Sequence, residues 1–377
     1  MALRRLAVYL SGRRRPFDSL QVEVTTRCLL RCPFCPHEAL KEDWTAQDLA
    51  MEDFRRLSKA FPLVKFVHLQ GWGEPLLHPQ FPLMVELAKA AGCQVGFTTN
   101  GVLLGENLAR RLVDLGLDLI AVSIAGADPA THDSIRVGSH LPAIVENVAA
   151  LARLKERAGA LRPKIVISYI MQRRNVGELP EAVAVAQAMG AQEMVATNLD
   201  YLACDEHEAA RAFSWQGAPP AFAAAIEEAR ERAAARGILF RPYPLEPQDG
   251  VLICEAMPVR NAVVAADGGV FPCTYLDLPV DPVPRIFEGA RHIVPRRAFG
   301  SLREAEFLDI WHAPGYREFR RRFELRQKLG TFLLLAGQTE RDSSADPAAR
   351  AEALRRQVEE RAPLPERCRT CYKAYGL

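Results

Sequence analysis

The sequence lacks an excess of charge of either sign. Its 377 residues include 48 lysines and arginines against 46 aspartates and glutamates, which leaves a formal net charge of +2. A strongly basic balance is the electrostatic footprint of nucleic-acid-binding proteins. Composition therefore gives no support to a nucleic-acid partner.

The sequence also lacks a long uninterrupted apolar run. A transmembrane helix needs about 20 predominantly apolar residues, and no segment reaches that length. The basic start, MALRRLAVYLSGRRRPF, has no apolar stretch of the kind found in signal peptides. We therefore expect residues 1–19 to form a solvated lead-in helix of a cytoplasmic protein without a membrane span.

Without a signal peptide, the nine cysteines are not expected to form disulfides. In a reducing compartment, clustered cysteines more often hold metal. The cysteines fall into an early group, a late group and two single positions: Cys28, Cys32 and Cys35; Cys254, Cys273, Cys368 and Cys371; Cys93 and Cys204.

Short apolar runs alternate with helical patterns from residue 20 to about 240. Most of these runs are rich in valine and isoleucine, as strands buried on both faces are. Six candidate strands follow this pattern: SLQVEVTT, VKFVHLQ, CQVGFTT, LDLIAVSI, KIVISYIM and EMVATNL. Strands that alternate with helices indicate an α/β fold, here a partial parallel (β/α)6 barrel over residues 20–240.

Residues that follow the strands of such a barrel gather at one mouth. Cys28 follows the first strand, GWGEP the second and Asn100 the third, whereas Ser123 ends the fourth and Asp200 follows the sixth. We expect these positions to converge on one site.

The pattern changes after residue 240, where we expect a small α+β domain over residues 241–377. FRPYPLEPQDG is typical of a linker, and NAVVAADGGVFPC predicts a hairpin around an Asp-Gly-Gly turn. Residues 279–297 are expected to form a surface loop. SLREAEFLDIWHAPGYREFRRRF predicts an amphipathic helix broken near Pro314, and residues 338–363 are highly charged with one helical patch.

Three cysteines lie in the stretch TTRCLLRCPFCPHEAL. Thiolates are soft ligands that suit zinc or iron–sulfur clusters, and both usually take four protein ligands. Three cysteines would leave one iron without a protein ligand and open to a small molecule. The alternatives are a zinc site with His37 as the fourth ligand, or unliganded buried thiols.

The pattern Cys28-x3-Cys32-x2-Cys35, with Phe34 before the last cysteine, resembles the signature of the radical SAM superfamily. The resemblance implies a [4Fe-4S] cluster whose fourth iron binds S-adenosylmethionine (SAM). It also implies that an external donor such as a flavodoxin or ferredoxin supplies one electron, which cleaves SAM to methionine and a 5′-deoxyadenosyl radical. The radical chemistry would belong to the cofactors, which the protein binds and shields.

Other segments match the same family. GWGEP resembles its Gly-Gly-Glu-Pro motif with Trp72 in place of the second glycine, and TTNGVLL and AVSIAGADPATHDSIR resemble the segments around its third and fourth strands. Arginine suits a carboxylate because its guanidinium fork pairs bidentately, although Arg136 could instead form a surface ion pair with Asp133 or Asp128. The resemblance implies SAM contacts from Phe34, Gly71, Gly73, Glu74, Asn100, Ser123 and Arg136.

The late cysteines form a set of four, which could fully ligate zinc or a cubane. The DGGVFPC hairpin, the FGSLREAEFLDIW helix and the late Cys-x2-Cys resemble the auxiliary-cluster domain of SPASM/Twitch radical SAM enzymes. Full SPASM domains use more cysteines for two clusters, so the shorter Twitch form is the better match. The resemblance implies a second [4Fe-4S] cluster on Cys254, Cys273, Cys368 and Cys371, with structural zinc as the alternative.

Two cysteines remain. Cys93 begins an apolar strand and is expected to be a small buried hydrophobe. Cys204 follows the sixth strand, as an ordinary loop thiol or as a substrate-facing acid, base or hydrogen-atom donor. Asp200 and Asp205 are rival proton acceptors, so these three residues are the candidate catalytic residues.

A closed cluster cannot bind SAM, and the resemblance implies that it accepts or relays an electron. We therefore expect net two-electron oxidation of a small molecule or peptide. The absence of room for a leader-peptide-binding domain before the barrel favours a small molecule. The alternatives are redox-neutral chemistry (epimerisation with Cys204 as hydrogen donor, or a molybdopterin-type rearrangement) and a non-catalytic zinc-binding interaction module.

Overall fold

A computed structural model describes residues 15–247, 254–339, 353 and 356–377, with the backbone alone for 333–339. The strands are β1 (Phe17–Val22), β2 (Val64–Leu69), β3 (Gln94–Thr99), β4 (Leu119–Ile124), β5 (Lys164–Met171), β6 (Glu193–Asn198), β7 (Leu239–Pro242), β8 (Asn261–Val264), β9 (Val270–Phe271), β10 (Val283–Phe287) and β11 (Ala290–Val294). The α-helices are α1 (Pro36–Ala39), α2 (Met51–Ser58), α3 (Phe81–Ala90), α4 (Glu106–Asp114), α5 (Pro129–Ile135), α6 (Leu141–Arg157), α7 (Leu179–Ala188), α8 (Asp205–Ala210), α9 (Pro220–Ala235), α10 (Phe307–His312) and α11 (Pro314–Thr339). Most of the expected lead-in, residues 1–14, lies outside the described residues.

One sheet of nine strands, in the order β7-β6-β5-β4-β3-β2-β1-β8-β9, forms the centre of the molecule. Strands β1 to β7 run parallel in chain order, and helices connect them. This topology confirms the partial β/α barrel and all six predicted strands.

The seventh strand, β7, corrects the linker prediction for the first three residues of FRPYPLEPQDG, whose last three, 248–250, lie outside the described residues. β7 pairs with β6 in parallel, and Phe240 is buried. Pro242 is accommodated because β7 is the edge strand, where a missing backbone N–H costs no ladder bond on the open side. Because of its proline, the sequence pattern did not predict β7, a strand that the burial of Phe240 stabilises.

The two faces of the barrel sheet differ in polarity. The face that packs against the helices is fully buried and apolar, whereas half-buried polar side chains line the inner face. The apolar face includes Val22, Leu69, Phe97, Val122 and Ile167, and the inner face includes Gln21, His68, Thr98, Ser123, Ser168 and Thr197. The strands are therefore fully buried on the helix side alone, and the inner face surrounds a polar lumen.

The C-terminal elements continue this sheet. The predicted hairpin is confirmed as β8 and β9, and β8 pairs in parallel with β1. Asp267 and Gly268, the latter with a φ of +81°, form its turn. The helix break near Pro314 is also confirmed, because α10 ends at His312 and α11 begins at Pro314. The sheet is thus continuous across the expected boundary at residue 240.

The expectation of a surface loop over residues 279–297 was wrong. This segment, which we call the insert hairpin, contains the antiparallel strands β10 and β11. Val283 and Ile286 are buried, and the backbone N–H of Ile286 donates to Leu202 O at 2.7 Å. Burial of these apolar side chains holds the hairpin against the segment that follows β6.

The charged segment over residues 338–363 is described only in part. Residues 356–361 are helical, as predicted for this patch, and Arg326 of α11 pairs with Glu359 at 2.6 Å. None of the described helices combines the length and the apolar character that crossing a bilayer requires.

Candidate functional site at the barrel mouth

The three early thiols lie close together between β1 and α1. The backbone N–H of Cys35 donates to Cys32 O at 2.9 Å. The pKa of Cys28 is raised to about 11 and that of Cys35 to about 12, mainly by burial and in part by the neighbouring thiols. The free thiols are therefore protonated, and binding of a metal would release their protons.

His37, the alternative fourth ligand, has a packing partner. Its ring lies edge-on to Trp44 with a centroid distance of 5.0 Å. Within the described ranges, no group of three or more histidine, cysteine, aspartate or glutamate side chains is arranged to hold a single metal ion.

His207 holds the cysteine loop, residues 23–35 between β1 and α1, through a hydrogen bond to Pro33. It is buried at the start of α8, where Nδ1 accepts from the backbone N–H of Ala203 at 3.2 Å. Nε2 is therefore the donor, to Pro33 O at 2.9 Å. Burial lowers the pKa of His207, which keeps the imidazole neutral. No sequence motif marks this contact, because it joins distant segments.

The GWGEP loop lies directly on the backbone of the cysteine loop. A Cβ atom on Gly73 would stand 2.4 Å from Thr25 O and 2.6 Å from Arg27 O. The backbone N–H of Glu74 donates to Arg27 O at 2.8 Å. Gly73 is therefore required by close approach of two backbones, and a Cβ on Gly71 would likewise overlap Glu23.

The carboxylate of Glu74 joins the loops that follow β2 and β3. Oε1 accepts from Thr99 Oγ1 at 2.8 Å and from the backbone N–H of Leu76 at 3.1 Å, and Oε2 accepts from the backbone N–H of Asn100 at 2.8 Å. Burial raises the pKa of Glu74. A carboxylate has about four acceptor sites, so Oε2 retains capacity for another donor. Asn100 shapes its own loop, because Oδ1 accepts from the backbone N–H of Val102.

Arg136 lies among these groups. Its guanidinium carbon is 5.5 Å from the ring centroid of Phe34, and its charge acts on Cys32 and Glu74. Its Nε–H is buried and has no hydrogen-bond partner among the residues that the structure describes. A buried donor without an acceptor indicates a place for an anionic ligand.

The alternative ion pairs of Arg136 are not formed within the described residues. Asp128 accepts from the backbone N–H groups of Ala130 and Thr131 and caps α5. Asp133 accepts from Ser139 Oγ and from the backbone N–H of Leu141.

Polar side chains line the lumen below these loops, and Ser123 is half-buried there. Thr98 Oγ1 lies 3.2 Å from His68 Nε2 and donates to Gln70 Oε1 at 2.6 Å. Burial lowers the pKa of His68 to about 4, so its imidazole is neutral near pH 7.

The four late thiols converge from three separate segments. Burial raises the pKa of Cys273 well above its usual range, and the other three thiols raise it further. Burial also raises the pKa of Cys254, to about 12, with Cys371 as the next cause. Because these thiols affect one another's pKa values, they lie close together as one group of four: Cys254, Cys273, Cys368 and Cys371.

Trp72 lies between the end of β1 and the loop that follows Cys273. Its backbone N–H donates to Glu23 Oε1 at 2.9 Å, and its indole Nε1–H lies 3.2 Å from Thr274 O and from Asp277 Oδ1. Its ring lies 5.5 Å from that of Tyr201. The residue that departs from the glycine motif thus reaches the loop after Cys273.

Glu23 and Asp277 form a buried acidic pair beside Trp72. Burial raises the pKa of Glu23 to about 7 and that of Asp277 well above its usual range, while Arg296 lowers both pKa values. Asp277 Oδ2 has no hydrogen-bond partner from the described residues. Glu23 was not predicted as a site residue, although it is the one acid in the strand pattern SLQVEVTT.

The candidate catalytic residues separate in space. Asp200 Oδ2 pairs with Lys373 Nζ at 2.8 Å, and Oδ1 accepts from Tyr275 Oη at 2.8 Å. Asp205 is exposed and pairs with Arg291.

The two single cysteines differ in their surroundings. Cys204 is the N-cap of α8, and burial followed by Glu206 raises its pKa. Cys93 is buried, as predicted, and its thiol donates to Phe61 O at 3.2 Å.

Two family models match the chain. The radical SAM superfamily matches residues 22–184. An iron–sulfur cluster-binding domain, SPASM, matches residues 254–330 and so begins at Cys254.

Curated relatives align over most of the chain. A tungsten-containing aldehyde ferredoxin oxidoreductase cofactor-modifying protein of Pyrococcus furiosus is 28% identical over 313 residues, covering 80% of this chain and 82% of the relative. A PqqA peptide cyclase of Granulibacter bethesdensis is 27% identical over 311 residues, covering 81% and 76%.

Solved structures share the fold. Streptococcus suis SuiB bound to S-adenosylmethionine has a TM-score of 0.60 at 15% identity and covers 85% of this chain and 71% of its own. The protein anSMEcpe with bound AdoMet has a TM-score of 0.57 at 16% identity and covers 91% and 96%.

Proposed function

Because this chain belongs to the radical SAM superfamily and carries an iron–sulfur cluster-binding domain of the SPASM type, we propose that it oxidises a small molecule or peptide by radical chemistry. The two domains imply SAM and [4Fe-4S] clusters as cofactors. When bound, the first cluster and SAM supply a 5′-deoxyadenosyl radical, and the second cluster supplies an acceptor for one electron.

One observation carries the proposal: an incomplete set of three thiols lies beside a buried arginine N–H that has no acceptor in the described part of the chain. Three thiols suit a cluster with one open iron. The guanidinium of Arg136 suits the SAM carboxylate, because it donates in a fixed fork. Cys28, Cys32 and Cys35 would hold the first cluster.

Other loop residues would complete the SAM site. The spare acceptor capacity of Glu74 Oε2 suits the SAM ammonium group. The ring of Phe34, next to Arg136, supplies an apolar wall. Gly71 and Gly73 let the loop after β2 approach closely, and Asn100 and Ser123 line the remaining edge.

The second thiol group offers four ligands, which is a complete set for a cubane. Cys254, Cys273, Cys368 and Cys371 would therefore hold a closed cluster with no position for SAM. Trp72 links the end of β1 to the loop after Cys273, through Glu23 and Thr274.

Net oxidation requires the substrate to lose a hydrogen atom, a proton and an electron. Among the candidate catalytic residues, Asp200 is the proton acceptor that we propose, because it follows β6 and reaches Tyr275 beside the second thiol group. Asp205 is exposed on the surface, which does not favour a role in the lumen.

Redox-neutral chemistry with Cys204 as hydrogen-atom donor gains no support from its position. Cys204 caps α8 next to the exposed Glu206. A Cys204→Ala variant is expected to form product at the rate of the wild type.

The relatives support either substrate class. One modifies a cofactor and another cyclises a peptide, by their names, and SuiB was solved with a precursor peptide. The polar lumen of this chain offers hydrogen-bonding groups to both classes.

The test supplies candidate substrates to the reconstituted enzyme with a flavodoxin or ferredoxin donor and quantifies 5′-deoxyadenosine against oxidised product. Replacing Cys273 and Cys371 with alanine is expected to leave SAM cleavage intact and to abolish product. Normal product formation by this variant would remove the electron-acceptor role.

A further inference from the structure

The insert hairpin carries a buried arginine into the second thiol group. Arg285 of β10 is 4% exposed. Its neighbours on the hairpin, Val283 and Ile286, are also buried, whereas Ile293 and Arg291 of β11 are exposed. β10 is therefore buried on both faces, because Arg285 and Ile286 are successive strand residues that point to opposite faces, whereas β11 is largely exposed. Arg285 lies on the inner strand of the hairpin.

Arg285 contacts each of the loops that flank three of the four cysteines. Nη2 of Arg285 donates to Tyr275 O at 2.8 Å, and Nη1 donates to Arg367 O and Thr370 O at 3.3 Å each. Tyr275 follows Cys273 by two residues, whereas Arg367 and Thr370 immediately precede Cys368 and Cys371. The guanidinium thus fixes the spacing between these loops.

The charge of Arg285 has no carboxylate partner in the part of the chain that the structure describes. Burying an uncompensated cation is costly. Its hydrogen-bond acceptors are backbone carbonyls close to Cys273, Cys368 and Cys371, and its guanidinium carbon lies 5.9 Å from the ring centroid of Tyr201. An anionic group held by the thiolates would offset the cost.

We propose that Arg285 is a positioning residue that raises the reduction potential of the cluster held by the four late cysteines. This inference rests on the proposed function. The reduced cluster differs from the oxidised one by a single electron, taken from the substrate radical and passed on to an external carrier of the ferredoxin or flavodoxin class. Because that electron adds one negative charge, a fixed positive charge nearby stabilises the reduced form.

Other charges near the thiols are present in every variant and cancel in the comparison. Lys373 pairs at 3.0 Å with Glu255, the residue after Cys254, and Arg367 directly precedes Cys368. Arg285 differs from them because the insert hairpin supplies it.

The experiment measures the midpoint potential of the second cluster by EPR-monitored redox titration. A full-length background with Cys28, Cys32 and Cys35 replaced by alanine removes the signal of the first cluster. In this background, Arg285→Gln is expected to lower the equilibrium constant for reduction of the cluster at least tenfold. This change lowers the midpoint potential by at least about 59 mV for one electron. Arg285→Lys, which keeps the charge, is expected to restore most of the potential.

Arg291→Gln is the matched control on the same hairpin. Its side chain is 74% exposed and paired with Asp205, so we expect an unchanged potential. An Arg285→Gln protein with full iron content and the unchanged potential would overturn the proposal.

If Arg285→Gln fails to retain iron, Arg285→Lys decides the matter. An iron-loaded Arg285→Lys protein with the unchanged midpoint potential supports the proposal. An iron-loaded Arg285→Lys protein whose midpoint potential falls by about 59 mV, a tenfold change in the equilibrium constant, refutes it. A background that shows no iron–sulfur signal at all would instead refute the proposed function.

Discussion

The Nε–H of Arg136 is buried and finds no acceptor within the described ranges of the chain, and such a group costs about 1–3 kcal/mol. Bound carboxylate would remove this cost, so the side chain is prepared for a ligand that the protein itself does not provide. At the scale of single residues, this is the feature that most directly indicates a SAM site.

We predict that Arg136→Met weakens SAM binding by about tenfold to a hundredfold, because a hydrogen bond to a charged group contributes about 1.5–3 kcal/mol. Equilibrium dialysis with the anaerobically reconstituted protein measures the change. Arg110→Met, which removes an exposed ion pair with Glu106, is the control. Equal SAM affinity in the Arg136 variant and the control would contradict the assignment.

Glu23 is a second residue whose surroundings set its behaviour. Burial raises its folded-state pKa to about 7 from 4.5, so the folded protein binds its proton more tightly than the unfolded chain does. This contribution to stability is complete below pH 4.5 and is lost as the pH rises through about 7.

We therefore predict that Glu23→Gln flattens the fall in melting temperature across this pH interval, because glutamine cannot ionise. Asp277, Asp267 and Arg296 also interact with Glu23, and they remain in the variant. Glu106→Gln, an exposed substitution, serves as the control. Identical pH profiles for the wild type and Glu23→Gln would show that Glu23 does not titrate as described.

At the scale of elements, the site depends on how closely two loops approach. The loop after β2 lies on the backbone of the cysteine loop at Gly73, where an added Cβ would overlap two carbonyl oxygens. The position of the three thiols is thereby linked to the loop that carries Glu74.

We predict that Gly73→Ala separates these loops and lowers the iron content of the first site by more than half. Iron and sulfide analysis, in a background with Cys273 and Cys371 replaced by alanine, measures the effect. Gly105→Ala is the matched control, because a Cβ there meets no atom within 4 Å and Gly105 has a negative φ. Full loading of the Gly73 variant would disprove the coupling of the loops.

The elements of the barrel were predictable because their signals are local. Each strand from β1 to β6 carries its own apolar run, and the cysteine spacing is likewise contained in a few residues. By contrast, β7 contains a proline, and the insert hairpin is stabilised by contacts with the segment after β6. His207 and Arg285 were missed for the same reason, because their partners are distant in sequence.

At the scale of the whole molecule, the C-terminal segment is fastened to the barrel by buried charges. Lys373 Nζ lies 2.8 Å from Asp200 Oδ2 and 3.0 Å from Glu255 Oε2. Although burial opposes its charge, these acids and Tyr243 raise the pKa of Lys373. The ion pair therefore joins the end of β6 to the residues after Cys371.

We predict that Lys373→Met destabilises the protein by about 3–5 kcal/mol, because it leaves a buried carboxylate without its partner. The double variant Lys373→Met with Asp200→Asn is expected to recover part of this loss. Denaturant unfolding measures both, with the exposed pair variant Lys59→Met expected to cost at most about 1 kcal/mol. A Lys373 variant as stable as this control would show that the pair does not fasten the segment.

The central claim is that the chain holds one open and one closed [4Fe-4S] cluster. Iron, sulfide and zinc analysis after anaerobic reconstitution tests this claim most directly. We predict about eight irons and eight sulfides per chain, and about half of each after Cys28, Cys32 and Cys35 are replaced by alanine. Two zinc ions per chain without sulfide would contradict the account.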